Sequence, residues 1–191
     1  RAAVLIGRVV TVPAAGYLIA MIVAVLVFML PFGLSSSICI RVGNALGRGD
    51  PESARYAGSI GLLIILGFQT VSALMMFLFP EVIVRIYTDD VAVGSLAVSL
   101  LFYAAIFQYP DGIQMVMAGA LRGYKDTRMP MLYTMVAFWI VGMTLGYTLT
   151  FIRGMGPAGM WIGMIAGLTV ADAMMLRRFK HTGNRFIAED S

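Results

Sequence analysis

The sequence predicts an all-α integral membrane protein of about five transmembrane helices. Three observations carry that reading. Apolar residues make up 60% of the 191 and charged residues only 13%. The apolar residues fall in long runs, and nearly all the charge sits in short connections between them. A soluble domain carries about 45–50% apolar and about 25% charged residues. A water-soluble fold of this length therefore leaves apolar surface that only membrane lipid can cover.

A spanning helix needs about 20 mainly apolar residues, and five segments qualify. Residues 9–40 come first. At about 1.5 Å per residue this run is too long for one straight crossing of a ~30 Å hydrocarbon core. It must tilt, overshoot the membrane, or break near Pro31-Phe32-Gly33. Residues 57–79, 93–120, 131–152 and 157–176 follow. The connection 80–92 carries Glu81, Asp89 and Asp90 beside apolar Val82, Ile83, Ile86 and Tyr87, a pattern for a short amphipathic helix at the interface. Residues 181–191 read as a polar tail. Five spans is an odd number, so a repeated bundle lacks one helix.

Lys and Arg counts set the orientation. Arg41, Arg48 and Arg55 lie in loop 41–56, Arg122, Lys125 and Arg128 in loop 121–130, and Arg177, Arg178, Lys180 and Arg185 near the C-terminus. Alternation puts these ten on one side, against Arg1, Arg8, Arg85 and Arg153 on the other. The two loops and the tail are expected in the cytoplasm. The net charge of +4 comes from short clusters rather than one basic face, which argues against nucleic acid. Cys39 and His181 stand alone of their kinds, so a disulfide framework, a structural zinc site and most His-based catalysis lack their residues. The chain starts at Arg1 with no initiator Met, and its first apolar stretch outruns a signal-peptide core. It is expected to be a fragment.

Asp111 is the most informative residue. It lies inside the third span, 11 residues before Arg122, or roughly 16 Å along a helix and so near mid-membrane. An ionisable group there costs about 2.5–3.5 kcal/mol even on the lenient insertion scale, so it should face the bundle interior. Pro110 has no N–H and frees the carbonyl of Ile106 one turn back. A carboxylate beside a loosened turn suits a hard cation or a proton that is taken up and released. The bland alternative is a neutral Asp that only holds helices together. Gln108 and Gln114 flank it, and Gln69 lies in the second span; buried amides commonly join helices. Phe107, one turn earlier on the same face, either lines a cavity or packs outward. Asp172 lies five residues before Arg177, and the favoured reading is interfacial, paired with Arg177 or Arg178. Gly159, Gly163 and Gly167 form one small-residue stripe for close helix packing, as do Gly142 and Gly146. Fifteen methionines could give an adaptable wall but are also ordinary filler. In a cytoplasmic loop, Arg48-Gly49-Asp50 is a coincidence with an adhesion signal.

Three stretches then carry a resemblance: Arg41-Val-Gly-Asn-Ala-Leu-Gly-Arg-Gly-Asp50, Leu121-Arg-Gly-Tyr-Lys-Asp-Thr-Arg128 and Met155-Gly-Pro-Ala-Gly-Met-Trp-Ile-Gly-Met164. In order and spacing they resemble the bacterial NorM-like branch of the multidrug and toxic compound extrusion (MATE) family, over about residues 27–180. The resemblance implies two six-helix lobes, with residues 1–180 as most of the C-terminal lobe, lacking its first helix. It implies a bacterial inner-membrane antiporter that exports cationic, often aromatic compounds against Na⁺ or H⁺. The family's cation-site aspartate falls on Asp111. Phe107 stands where many relatives carry Tyr, and Gln108 and Gln114 become cavity candidates with it.

Part of one lobe cannot enclose a central cavity. The chain alone is therefore expected to be inactive, with the missing N-terminal lobe as its partner in the parent. Two alternatives remain: a flippase for lipid-linked oligosaccharides, which would want basic residues inside the lobe, and a non-transporting remnant. An intramembrane enzyme would need paired acids, a Ser–His or Ser–Lys pair, or a metal motif within spans. The sequence has none, and no cofactor beyond the coupling ion is implied.

Overall fold

The computed structural model describes the backbone of residues 2–154 and 157–190, and the side chains of 14–154 and 159–189. These residues form α1 (Ala2–Gly47), α2 (Pro51–Leu78), the short α3 (Pro80–Arg85) and α4 (Val91–Gly123). After α4 the chain continues as α5 (Arg128–Val136), a π-helix (Ala137–Met143), α6 (Thr144–Tyr147), a second π-helix (Thr148–Ile152) and α7 (Pro157–Asp190). Five stretches among the described residues are long and apolar enough to cross a membrane, the fourth being the composite Arg128–Ile152.

α1 runs unbroken through Pro31. Its 46 residues make about 69 Å at 1.5 Å per residue, so the helix overshoots the bilayer instead of breaking. In the segment read as a polar tail, residues 181–190 continue α7 as far as Asp190. Thr182 and Gly183 are buried, and Phe186 packs at a tilt against Tyr124, which also meets Phe179 edge-on. Packing on Tyr124 and a hydrogen bond from Arg55 to Asn184 hold this polar-looking segment against the bundle. The interfacial reading of 80–92 reduces to α3, pinned to the core by Val84 while Val82 and Ile86 stay exposed.

The two basic loops are built alike. α1 ends with Gly49 at φ 70°, the amide of Asp50 bonding the Ala45 carbonyl and that of Gly49 the Leu46 carbonyl. α4 ends with Lys125 at φ 62°, Asp126 bonding back to Leu121 and Lys125 to Arg122. Both are Schellman closures. Each closing Asp then serves the next helix. Asp50 accepts from the Ser53 amide at 2.9 Å, and Ser53 holds its carboxyl below the usual carboxylate range. Asp126 accepts from the Met129 amide and, at 2.7 Å, from Arg178 on α7. The Arg48-Gly49-Asp50 triplet is thus a helix stop followed by a helix start. Lys125 occupies a left-handed position that costs an L-residue about 1–2 kcal/mol. Lys125→Gly is expected to stabilise by about 0.5–1 kcal/mol, a rise of about 1–4 °C in melting temperature. A fall in melting temperature would show that the Lys125 side chain outweighs the strain.

Two apolar clusters hold the bundle. One, nearer the basic loops, joins Ile38, Val42, Ile65, Val116, Leu121, Met175 and Phe179. The other joins Ile19, Val23, Ala73, Met76, Val84 and Leu101 at the opposite end. Between them, on α2 and α4, lies a polar layer.

Candidate functional site

That layer is made by Gln69, Gln108 and Asp111. Gln69 and Gln108, 1% and 7% exposed, are reciprocal partners. The Gln69 side-chain amide donates to the backbone carbonyl of Gln108. The Gln108 side-chain amide donates to the backbone carbonyls of Gln69 at 3.3 Å and Ala105 at 3.2 Å. This cross-strapping of α2 to α4 needs Gly112, because a Cβ there would collide with the Gln69 carboxamide. Next to the pair, Asp111 and Phe107 border two spaces. One is a small cavity of about 20 Å³, lined also by Pro31, Gln69 and Gln108. The other, about 410 Å³, is lined by Tyr17, Phe28, Phe107, Asp111, Met160 and Trp161 among others.

The larger cavity falls in the range of small-molecule sites, about 300–1,000 Å³. Its walls are aromatic faces and thioethers with one carboxylate. Phe107 meets the buried Trp161 edge-on, centroids 5.5 Å apart, which fixes the two rings relative to each other. Aromatic faces attract cations by about 0.5–2 kcal/mol each, and Met side chains repack around differing shapes. The arrangement can hold a flat organic cation with its charge near Asp111.

Two expectations are corrected. Gln114 is not in the Asp111 cavity. Its amide donates to Thr134 at 2.8 Å, and it lines a separate groove of about 520 Å³ between α4 and the fourth span. Three residues beyond Asp111 it has turned toward α5, so it joins helices. Asp172 is not interfacial and does not pair with Arg177 or Arg178. Arg178 is held by Asp126. Asp172 is 5% exposed, and its Oδ1 has no hydrogen-bond partner among the described residues. Helix spacing explains this. Leu168, Asp172, Met175 and Phe179 follow one another by four, three and four residues and are all buried, so they form one inward stripe.

The glycines of α7 sit against the fourth span. Gly159 lies beside Leu149 and Thr150, Gly163 beside Gly142 and Gly146, and Gly167 beside Ala137 and Gly142. Tyr17, Phe28, Met160 and Trp161 were not singled out by the sequence. Trp161 carried a usable signal, being an aromatic inside the quoted Met155–Met164 block.

The MatE family profile matches residues 2–148. The probable multidrug resistance protein NorM of Xanthomonas axonopodis pv. citri is 51% identical over 186 residues, covering 97% of this chain and 41% of its own length. The multidrug resistance protein PmpM of Pseudomonas aeruginosa is 41% identical over 191 residues, covering 98% and 40%. Among solved structures, the eukaryotic MATE transporter AtDTX14 aligns with a TM-score of 0.81 at 18% identity, over 95% of this chain and 42% of its own. An inward-facing multidrug resistance MATE transporter aligns at 0.78 and 16%, over 88% and 39%. The chain thus spans about two-fifths of the length of the curated relatives it matches.

Proposed function

This chain belongs to the MatE family, and from that premise we propose that it forms part of a multidrug antiporter that exports aromatic organic cations in exchange for Na⁺ or H⁺. The observation that carries the reading is Asp111 placed at mid-span, bordering a cavity walled by Tyr17, Phe28, Phe107 and Trp161. In this reading the carboxylate is the element for which inbound ion and outbound cation compete. A negative charge at mid-membrane is tolerable when a cation neutralises it, and one acid cannot be neutralised by two ligands at once. The fourfold aromatic wall supplies affinity without a fixed shape. Loops 41–56 and 121–130 face the cytoplasm of the bacterial inner membrane on the basic-residue count. Transport belongs to a protein that also has the facing lobe, since the cavity wall on α1 exposes Tyr17, Met21 and Val25. The names of the NorM and PmpM relatives agree with an export role.

The test uses the full-length protein carrying this sequence, in proteoliposomes loaded with ethidium. An inwardly directed Na⁺ or proton gradient should drive ethidium out. Trp161→Ala or Phe107→Ala should raise the apparent KM for ethidium about five- to tenfold, the worth of about 1–1.4 kcal/mol of cation–aromatic attraction. Ethidium movement that ignores both gradients would overturn the antiporter reading.

A further inference from the structure

We propose that the groove between α1 and α2, at the basic-loop end of the bundle, binds an anionic phospholipid, its phosphate between Arg41 and Arg48 and one acyl chain along Leu34, Ile60 and Ile64. The proposal needs only a membrane-spanning bundle and stands apart from the antiporter reading of Asp111.

The groove holds about 580 Å³. On α1 its wall carries Leu34, Arg41 and Arg48 at intervals of seven, and on α2 it carries Tyr56, Ile60 and Ile64 at intervals of four. Both spacings keep to one helix face. Polarity changes along its length. Arg41, Asn44, Arg48 and Ser53 border the end beside the 48–50 turn, and Leu34, Ile38, Ile60 and Ile64 border the far end. Ser37, in the apolar part, returns its hydroxyl to the Gly33 carbonyl. From Ser53 to Ile64 is 11 residues, roughly 16 Å along a helix. One leaflet of a ~30 Å hydrocarbon core is about 15 Å deep, so the groove runs the depth of one leaflet. Tyr56, 68% exposed at the turn end, has the amphipathic ring suited to headgroup level.

The charge at the turn end is unmet. No acidic residue lines the groove among the described residues. Asp50 attracts Arg48, but its carboxylate is engaged by the Ser53 amide. Arg178 and Arg185 are paired with acids, and Arg55 and Arg122 donate to Asn184 and Ser35. Arg41 and Arg48 have no hydrogen bond or ion pair from their side chains among the described residues. A soluble phosphate would meet the two guanidinium groups and leave the leucine and isoleucine walls bare. An acyl chain alone would do the reverse. An anionic phospholipid satisfies both ends, and a zwitterionic one brings its own cation toward two arginines. Basic pockets between membrane helices are suited to anionic headgroups, and the guanidinium fork matches phosphate oxygens.

The test uses the purified full-length protein in detergent micelles doped with phosphatidylglycerol or phosphatidylcholine. Native mass spectrometry counts the lipid retained, and the melting temperature without added lipid checks folding. Wild type should retain one phosphatidylglycerol in preference to phosphatidylcholine. Arg41→Gln with Arg48→Gln should weaken retention about thirtyfold, from about 1 kcal/mol for each basic residue near an anionic headgroup. Arg177→Gln with Lys180→Gln removes equal charge from the same end of the bundle and should leave retention unchanged. Ile60→Trp fills the apolar half and should weaken retention with every charge in place. Should the arginine variant not fold, Ile60→Trp still decides, and wild-type retention by it would overturn the acyl-chain contact. Equal loss in the two double variants would show attraction between bulk charges and overturn the site. Displacement of the lipid by equimolar glycerol 3-phosphate would make the ligand a soluble phosphate instead. A wild type that retains neither lipid would mean that the facing lobe covers the groove, which also overturns the proposal. Ethidium export tests the antiporter reading separately, since none of these residues lines the larger Asp111 cavity.

Discussion

Asp111→Asn is expected to reduce ion-driven export by the full-length protein to background while leaving it folded. The substitution keeps the side-chain shape and removes only the ability to carry a negative charge. A charge near the bilayer centre costs about 2.5–3.5 kcal/mol, so the asparagine variant should melt at the same temperature as wild type or higher. The loss would therefore be one of function alone. Ethidium efflux from proteoliposomes under each gradient, with the melting curve of the same preparation, reads both quantities. Asp111→Glu should retain part of the activity, because it keeps the charge but moves it by one methylene. Asp172, buried on α7, remains in the asparagine variant. Full efflux there would mean that the carboxylate at 111 is not what the driving ion binds.

Gly163→Ala is the second large effect, and it falls on stability. A Cβ at 163 would lie 2.5 Å from the Gly146 nitrogen and 2.6 Å from the Gly142 carbonyl oxygen. Those are backbone atoms, which cannot rotate aside as a side chain can. α7 must then move off the fourth span as a unit, and overpacking of this kind costs about 1–3 kcal/mol. Near the upper end of that range, melting should fall by about 5–10 °C. Gly67 supplies the contrast: nothing lies within 4 Å of where its Cβ would be, so Gly67→Ala should cost nothing and, by helix propensity, add stability. Equal melting temperatures for the two variants would show that the α7 stripe is not the close contact described.

Much of the fold was legible because hydropathy is a property of the chain itself. Runs of apolar residues mark the spans whatever they pack against, and the five expected segments match five spanning helices. Placing Asp111 inside a span likewise needed only counting. What was not legible depended on neighbours. Whether α1 breaks at Pro31 turns on tertiary packing, and Gln114 and Gln108 each stand three residues from Asp111 yet face different helices. Asp172 was misplaced for a different reason. Its distance to Arg177 was counted along the chain, whereas six residues of helix carry Arg178 well around the axis from Asp172. The stripe Leu168, Asp172, Met175, Phe179 held the correct answer. The reciprocal straps between Gln69 and Gln108 could not be read from sequence at all, since they follow from which amide nitrogen meets which carbonyl.

The π-winding of the fourth span sets the phase of everything beyond it. Ala137, Gly142, Gly146 and Thr150 all touch the glycine edge of α7, and their intervals run five, four, four. The single five falls where the helix is wound one residue wider per turn. Uniform α-winding would bring Val141 round instead of Gly142 and set an isopropyl group against a backbone. Removing one residue between 137 and 142 would leave length and hydropathy nearly untouched. It would also let this stretch wind as ordinary α-helix, since the remaining interval of four keeps Gly142 on the seam. Removing Thr144 or Leu145 from the α-wound part, by contrast, would rotate the rest of the span by about 100°.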